Sequence, residues 1–417
     1  MSRGYYTYTE ITDFGPYVTK IILPFPQPVS SEAVNPSCFS VHVQRLDEKG
    51  QVYQLPKSWT QRDSLVPSQG YIPVKKAYPS DRQGQPEASG GFVTLETDYG
   101  PLCPLSSRVS CPKEHNVYVT MRYDIQQVKA VEGISGLRFG FPLGDSMPAA
   151  QGWLNHFSED GLNYGYFVPQ QVEPGPRPLI IWLHGAGEGG QDPAIAYTAN
   201  KVVALTSPGV QRLFGGAYVL APQTPTFWMN DGSGEYGRTG KSIYSQALKA
   251  CIDGFLAQNE HIDPSRVYIG GDSNGGFMTM RMLVDWPELF AAAFPVCEAL
   301  YDEVITEEQL AGIKDKPIWF THAKNDPVVL PKETVVPTYQ RLMAAGAKNV
   351  HFTFWDKIED IHEGFVDAEG KPFEYMGHFA WIPLLNDDCR VDFDGKPVLW
   401  EGREVSLLQW LALQRKG

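Results

Sequence analysis

Val267-Tyr268-Ile269-Gly270-Gly271-Asp272-Ser273-Asn274-Gly275-Gly276 decides how this chain is read. It contains a Gly-x-Ser-x-Gly pentapeptide, Gly271 to Gly275, after a β-branched apolar run. The run Phe277-Met278-Thr279-Met280-Arg281-Met282-Leu283 follows with helical character. The order is strand, sharp turn, helix, with a serine at the apex, the context that distinguishes a nucleophile elbow from an ordinary Gly-Ser-Gly turn. A serine on so tight a turn sits in strained backbone, and side chains on its neighbours would collide with the adjoining strand and helix. The strain lifts the Ser273 hydroxyl clear of the sheet. It also aims N–H groups at the start of the next helix toward the reacting oxygen.

A serine hydroxyl at neutral pH needs a histidine to take its proton and a carboxylate to hold that histidine in one tautomer. On elbows of this kind the acid follows the serine in the chain and the histidine comes last. Pro317-Ile318-Trp319-Phe320-Thr321-His322 reads as a buried strand, and Asp326 lies in the loop after it, where open α/β sheets place their sites. The plainer reading of Asp326-Pro327 is a turn starter; position and order favour the acid. His378, in Tyr375-Met376-Gly377-His378-Phe379-Ala380-Trp381, is preferred as the base. His362, in a polar stretch, reads as a surface histidine. His322, just ahead of the acid loop, reads as a supporting or core group. The strand Pro178 to Leu183 runs into His184-Gly185-Ala186-Gly187-Glu188-Gly189-Gly190, a glycine loop that lets N–H groups approach a developing negative charge. The expected oxyanion donors are the N–H groups of Ala186 and Asn274. The loop lacks Gly-Lys-Ser/Thr, so it is not a phosphate-cradling Walker loop, and its spacing does not fit a dinucleotide fingerprint.

These three motifs together resemble the α/β-hydrolase superfamily. They are most similar to bacterial esterases with an N-terminal immunoglobulin-like domain, near the polyhydroxybutyrate-depolymerase and feruloyl-esterase types. The motif match spans about residues 150–417; the N-terminal part matches by position and strand pattern alone. The resemblance implies a carboxylic ester hydrolase with Ser273, Asp326 and His378 as its triad; the acyl-enzyme chemistry of such a triad requires no cofactor or metal. Relatives that are peptidases leave the leaving group open.

Length and texture fit two domains, a β-sandwich over 1–140 and an α/β-hydrolase domain over 150–417. Early runs such as Tyr17 to Leu23, Phe39 to Gln44, Gly91 to Glu96 and Asn116 to Tyr123 alternate as half-buried strands in an antiparallel sandwich. Gln69 to Gly90 reads as a long loop and Phe139 to Gly152 as a linker. Leu162 to Pro169 is then expected as the first strand of a mainly parallel sheet covered on both faces. Helices are expected over Ser242 to Asn259 and Val405 to Arg415. Thr224 to Gly232, with Trp228, is placed on the pocket wall, and Glu188 and Glu298 are candidates for substrate contact.

The formal net charge of -13 argues against nucleic acid and anionic membrane surfaces as partners. No apolar run reaches membrane-spanning length. The amino terminus shows no secretory signal, which leaves both a cytoplasmic and a secreted, processed protein open. Six cysteines form no Cys-x-x-Cys, so a zinc site is not expected. Cys251 and Cys297 read as buried small hydrophobes. Cys103 and Cys111 flank a short loop, and their redox state stays open. The expected partner is a small ester substrate, with self-association through the N-terminal domain as a further option. A same-fold serine peptidase or amidase and a non-catalytic binding protein are the competing functional classes.

Overall fold

The computed structural model describes residues 2–53, 55–56, 65–112, 114–170 and 175–416. They form two compact units, 1–151 and 152–417.

The first unit is all-β. Its main strands are β1 (Arg3–Thr12), β2 (Gly15–Ser30), β3 (Phe39–Leu46), β4 (Gln69–Ile72), β5 (Val74–Ser80), β6 (Ser89–Thr97), β7 (Thr120–Gln127) and β8 (Arg138–Ser146). Their hydrogen-bonded order is β4-β3-β7-β8-β1-β2-β6-β5. Alternation in β3 and β7 sends Val41, Val43, Met121, Tyr123 and Ile125 into one core with Val18, Ile21, Leu23, Val93 and Leu95.

Three expectations are corrected in and beside this unit. Gln69 to Gly90 is not a loop but carries β4, β5 and the start of β6. Lys75, Lys76 and Pro79 hid β5 because it ends the sheet, where exposed lysines and a proline are tolerated. Phe139 to Gly152 is largely β8, which runs parallel to β1, so the sheet is not purely antiparallel. β8 bonds β7 only at Arg138 and Phe139, so Pro142 interrupts no ladder on that side. The sheet of the second unit begins one strand earlier than expected. That strand is β9 (Trp153–His156), four residues of which three are exposed, too short and polar to show periodicity.

The second unit continues with β10 (Asn163–Phe167), β11 (Arg177–Leu183), β12 (Tyr218–Gln223), β13 (Ile262–Asp272), β14 (Ala292–Val296), β15 (Ile318–Ala323) and β16 (Val350–Trp355). The sheet order is β9-β10-β12-β11-β13-β14-β15-β16. β9, β10 and β12 pair antiparallel, and every pairing from β12 onward is parallel. This is the α/β-hydrolase sheet. Its central strands read as unbroken apolar runs because both faces are covered: Leu179 to Leu183 and Val267 to Ile269 are fully buried. The helices are α1 (Pro193–Thr198), α2 (Pro208–Phe214), α3 (Ser245–Gln258), α4 (Asn274–Asp285), α5 (Glu307–Ile313), α6 (Val335–Ala344), α7 (Trp381–Leu385) and α8 (Leu407–Leu413). α8 starts on a capping box between Ser406 and Gln409. No described helix is long and apolar enough to cross a membrane.

Candidate active site

The turn between β13 and α4 has the strain the sequence implies. Ser273 sits at φ 54, ψ −111, a conformation L-residues rarely adopt. Its N–H donates to Val296 O at 2.9 Å and reaches Cys297 Sγ at 3.2 Å, so β14 holds the turn. The flanking glycines are required by close approach. A Cβ on Gly271 would lie 2.3 Å from Leu183 O, and one on Gly275 only 1.9 Å from it.

Three elements then converge on Ser273. His378 Nε2 lies 2.9 Å from Ser273 Oγ, and His378 Nδ1 lies 2.8 Å from Asp326 Oδ2. The histidine loop reaches the acid loop because residue 377 is glycine: a Cβ there would sit 2.1 Å from Asn325 Oδ1. Asp326 is buried and its acceptor capacity is used throughout. Oδ1 accepts the N–H groups of Val328 and Val329 at 2.8 and 3.0 Å. Oδ2 accepts His378 and, at 2.9 Å, His322 Nε2. Burial alone would raise the Asp326 pKa. The bonds from His322 and His378 outweigh it and hold the carboxyl well below the usual carboxylate range. His322, itself buried, is pushed toward its neutral form by desolvation. It is therefore a neutral donor that steadies the acid from behind, the supporting role its position suggested. His362 is surface-exposed and pairs with Asp388 at 2.8 Å.

The glycine loop after β11 turns helically over Ala186–Glu188, with Gly185 as its cap, and Asn274 is the first residue of α4. Both expected oxyanion residues thus open helical turns, where N–H groups point away from the helix toward an anion. His184 braces this loop, a function its sequence position did not disclose. Its Nε2 accepts the Thr224 N–H at 3.1 Å, so Nδ1 carries the proton and donates to Gly185 O at 2.5 Å. Trp228 Nε1 donates to His184 O at 3.1 Å, and Asn274 Oδ1 accepts the Met229 N–H at 3.2 Å.

The side chains expected to touch substrate are buried. Trp228 is fully buried, and Glu188 and Glu298 are 4% and 1% exposed. Trp228 packs into the core behind the loop instead of facing an open wall, because its indole N–H has a partner only inward. Glu298 accepts the Leu300 N–H at 2.8 Å, and burial pushes its carboxyl up to about 8. Cys297 is buried beneath Ser273, and burial, then the nearby Asp326 and Asp272, raise its thiol pKa. Cys297, Asp326 and His378 bring one ligand atom each within 4.8 Å of one another. Two of those groups are already bonded to each other as described.

Comparison with known proteins agrees with this architecture. Residues 4–140 match the family "Esterase Ig-like N-terminal domain", and residues 228–302 match the "Prolyl oligopeptidase family". A stretch of 161 residues is 34% identical to poly(3-hydroxyalkanoate) depolymerase C of Paucimonas lemoignei, covering 36% of this chain and 35% of that protein. The chain thus spans about a third of the length of that curated relative. The crystal structure of a thermostable esterase superposes with a TM-score of 0.74 over 99% of both chains at 23% identity, a likeness of fold. The second unit thus has the α/β-hydrolase fold, and the first matches the esterase immunoglobulin-like type of N-terminal domain.

Proposed function

We propose that this protein is a carboxylesterase acting on small to medium acyl esters, with aryl- and sugar-linked alcohols among the candidates. The observation that carries the reading is the unbroken chain of hydrogen bonds from Ser273 Oγ through His378 to Asp326. Ser273 attacks the ester carbonyl as His378 Nε2 takes its proton. Asp326 keeps the Nδ1 proton in place and stabilises the imidazolium. The tetrahedral oxyanion is held by the N–H groups of Ala186 and Asn274, each donor contributing roughly 2.7–4 kcal/mol in comparable sites. Collapse expels the alcohol, protonated by His378, and leaves an acyl-serine. Water then attacks with His378 again as base, releasing the acid and restoring Ser273. The reading needs no metal. Catalysis is assigned to residues 150–417 and an accessory role to the immunoglobulin-like domain, residues 1–140, with self-association through it as one form of that role.

The test is hydrolysis of p-nitrophenyl esters from acetate to laurate, with a soluble poly(3-hydroxyalkanoate) oligomer alongside because of the depolymerase relative. Turnover that vanishes in Ser273→Ala supports the esterase. No turnover on any ester by folded protein overturns it. The match of residues 228–302 to the prolyl oligopeptidase family supports a peptidase as the second reading. Peptide p-nitroanilides separate the two. A serine-directed phosphonate separates both from a non-catalytic binding protein, since labelling needs an activated Ser273.

A further inference from the structure

The chain between β12 and α3, residues 224–244, is several times longer than the few residues that usually join a strand to the next helix. It starts inside the site. Thr224 O accepts the Gly190 N–H at 2.8 Å, and the Met229 N–H donates to Asn274 Oδ1 at 3.2 Å. It then folds on itself as a strap. Asn230 pairs with Tyr236 in an isolated bridge, the Ile243 N–H donates to Asn230 O at 2.8 Å, and the Tyr236 ring stacks on Phe227 at 4.2 Å. Its far side reaches the loops after β14 and β15. Arg238 Nη2 donates to Glu333 Oε2 at 2.8 Å, Nη1 lies 4.0 Å from Glu303 Oε1, and the guanidinium carbon lies 4.1 Å from the Tyr301 ring centroid. Gly240, at φ 66, approaches Val304 so closely that a Cβ would lie 2.6 Å from its Cγ2. The two loops are joined to each other by the Asp302 N–H, which donates to Glu333 O at 3.2 Å. In the sheet order β12 lies on one side of β13, and β14 and β15 lie on the other, so the strap passes the strand that leads to Ser273.

We infer that residues 230–243 form one wall of the acyl-binding site, and that Arg238 is the latch that holds this wall against the acid loop. The inference rests on the esterase reading above and makes Arg238 a positioning residue that determines acyl-chain selectivity. Apolar side chains stay exposed on both partners of the latch: Tyr236 and Ile243 on the strap, Val328 and Leu330 just beyond Asp326. The charges between them are used in pairs, Arg238 with Glu333 and Glu303, and Asp302 with Arg341 at 2.8 Å. An uncharged aliphatic chain therefore suits this surface better than an ionic group. The alcohol leaves with a proton from His378. The acyl group stays on Ser273, next to the Asn274 that anchors the strap.

Arg238 and Glu333 are both partly exposed, and an exposed ion pair alone adds little. Here the guanidinium also covers an aromatic face, which strengthens its hold on the loop after β14. Loss of the latch frees the strap, and a long acyl chain then loses more contact than an acetyl group does.

The experiment measures kcat and KM of the full chain for p-nitrophenyl acetate, butyrate, octanoate and laurate. Each enzyme is read as its kcat/KM on octanoate divided by its own kcat/KM on acetate. A buried methylene contributes up to about fourfold, so a wild-type ratio of about ten or more is expected, carried by KM. Arg238→Ala should lower the ratio at least about threefold, again through KM, and Arg238→Lys, which keeps the charge, should recover part of it. Glu333→Ala should lower the ratio by itself and add nothing on top of Arg238→Ala. Four results would overturn the inference: a wild-type ratio near unity, an Arg238→Ala ratio within about twofold of wild type, additive losses from the two alanine variants, or an equal loss on a series of alkyl acetates, in which only the alcohol grows. The wild-type series can decide against it whether or not the variants fold. No turnover on any ester strikes at the esterase reading and at the strap with it, while turnover without acyl selectivity strikes only at the strap.

Discussion

Asp326→Asn is the most demanding prediction, because every oxygen lone pair of this carboxylate has a stated use. Oδ1 takes two main-chain N–H groups and Oδ2 takes two imidazole N–H groups. An asparagine can offer an oxygen to only one of those pairs. With its oxygen toward the imidazoles, its NH2 faces the Val328 and Val329 N–H groups. Two buried donors then lose their acceptor, at about 1–3 kcal/mol each. Turned over, the amide satisfies the main chain and presents its two hydrogens to His322 and His378. The second orientation wins, since His378 can respond by changing tautomer and the His322 Nε2–H keeps Val329 O as an acceptor at 3.1 Å. His378 then accepts at Nδ1 and is protonated at Nε2, the atom 2.9 Å from Ser273 Oγ. The base has become a donor to the group it should deprotonate. A wrong tautomer in a serine triad costs about ten-thousandfold in kcat, or about 5 kcal/mol of transition-state stabilisation. The assay is steady-state hydrolysis of p-nitrophenyl acetate at neutral pH, with urea unfolding of the same preparation. The expected outcome is a kcat lowered by about three to four orders of magnitude in a folded protein, with phosphonate labelling of Ser273 slowed in parallel. A folded variant within about tenfold of wild-type kcat would refute the assignment of Asp326 and the tautomer argument with it.

Further outcomes are expected. His322→Leu removes one charge-assisted bond to Asp326 and should lower stability by roughly 1.5–3 kcal/mol, read from urea midpoints; His322→Gln, which can still donate, should recover part of it. Gly275→Ala places a methyl 1.9 Å from Leu183 O and should cost roughly 3 kcal/mol or more, or abolish soluble expression, while Gly254→Ala, with open space around it, should be near neutral. For Glu298, the folded pKa of about 8 lies above the unfolded value of 4.5, so the folded state binds the extra proton. Its contribution is full below about pH 4.5 and is lost as pH rises to about 8, so stability declines across that window. Glu298→Gln keeps an acceptor for the Leu300 N–H and should flatten that decline by a few kcal/mol; an unchanged difference between unfolding midpoints at about pH 5 and pH 9 would show that Glu298 is not the source.

Local chemistry decided much of this protein. The Gly271 to Gly275 turn, the apolar runs of β11 and β13, and the loop positions of Asp326 and His378 were legible because each depends on residues within a few positions. A nucleophile elbow needs small residues where the backbone crowds, and a strand buried on both faces needs an unbroken apolar run. Tertiary packing decided what depends on partners distant in the chain. Strands β4, β5 and β8 were obscured because edge positions, for β4 and β5, and a half-unpaired flank, for β8, excuse lysine, proline and glycine from the rules of a central strand. The supporting contacts behind the triad are likewise non-local: Trp228 reaches His184 across 44 positions, and Asp272 meets Asn200 across 72. Sequence could nominate Glu188, Trp228 and Glu298 by their nearness to strand ends. Only the fold decides how far a side chain at a strand end is exposed, and all three are buried.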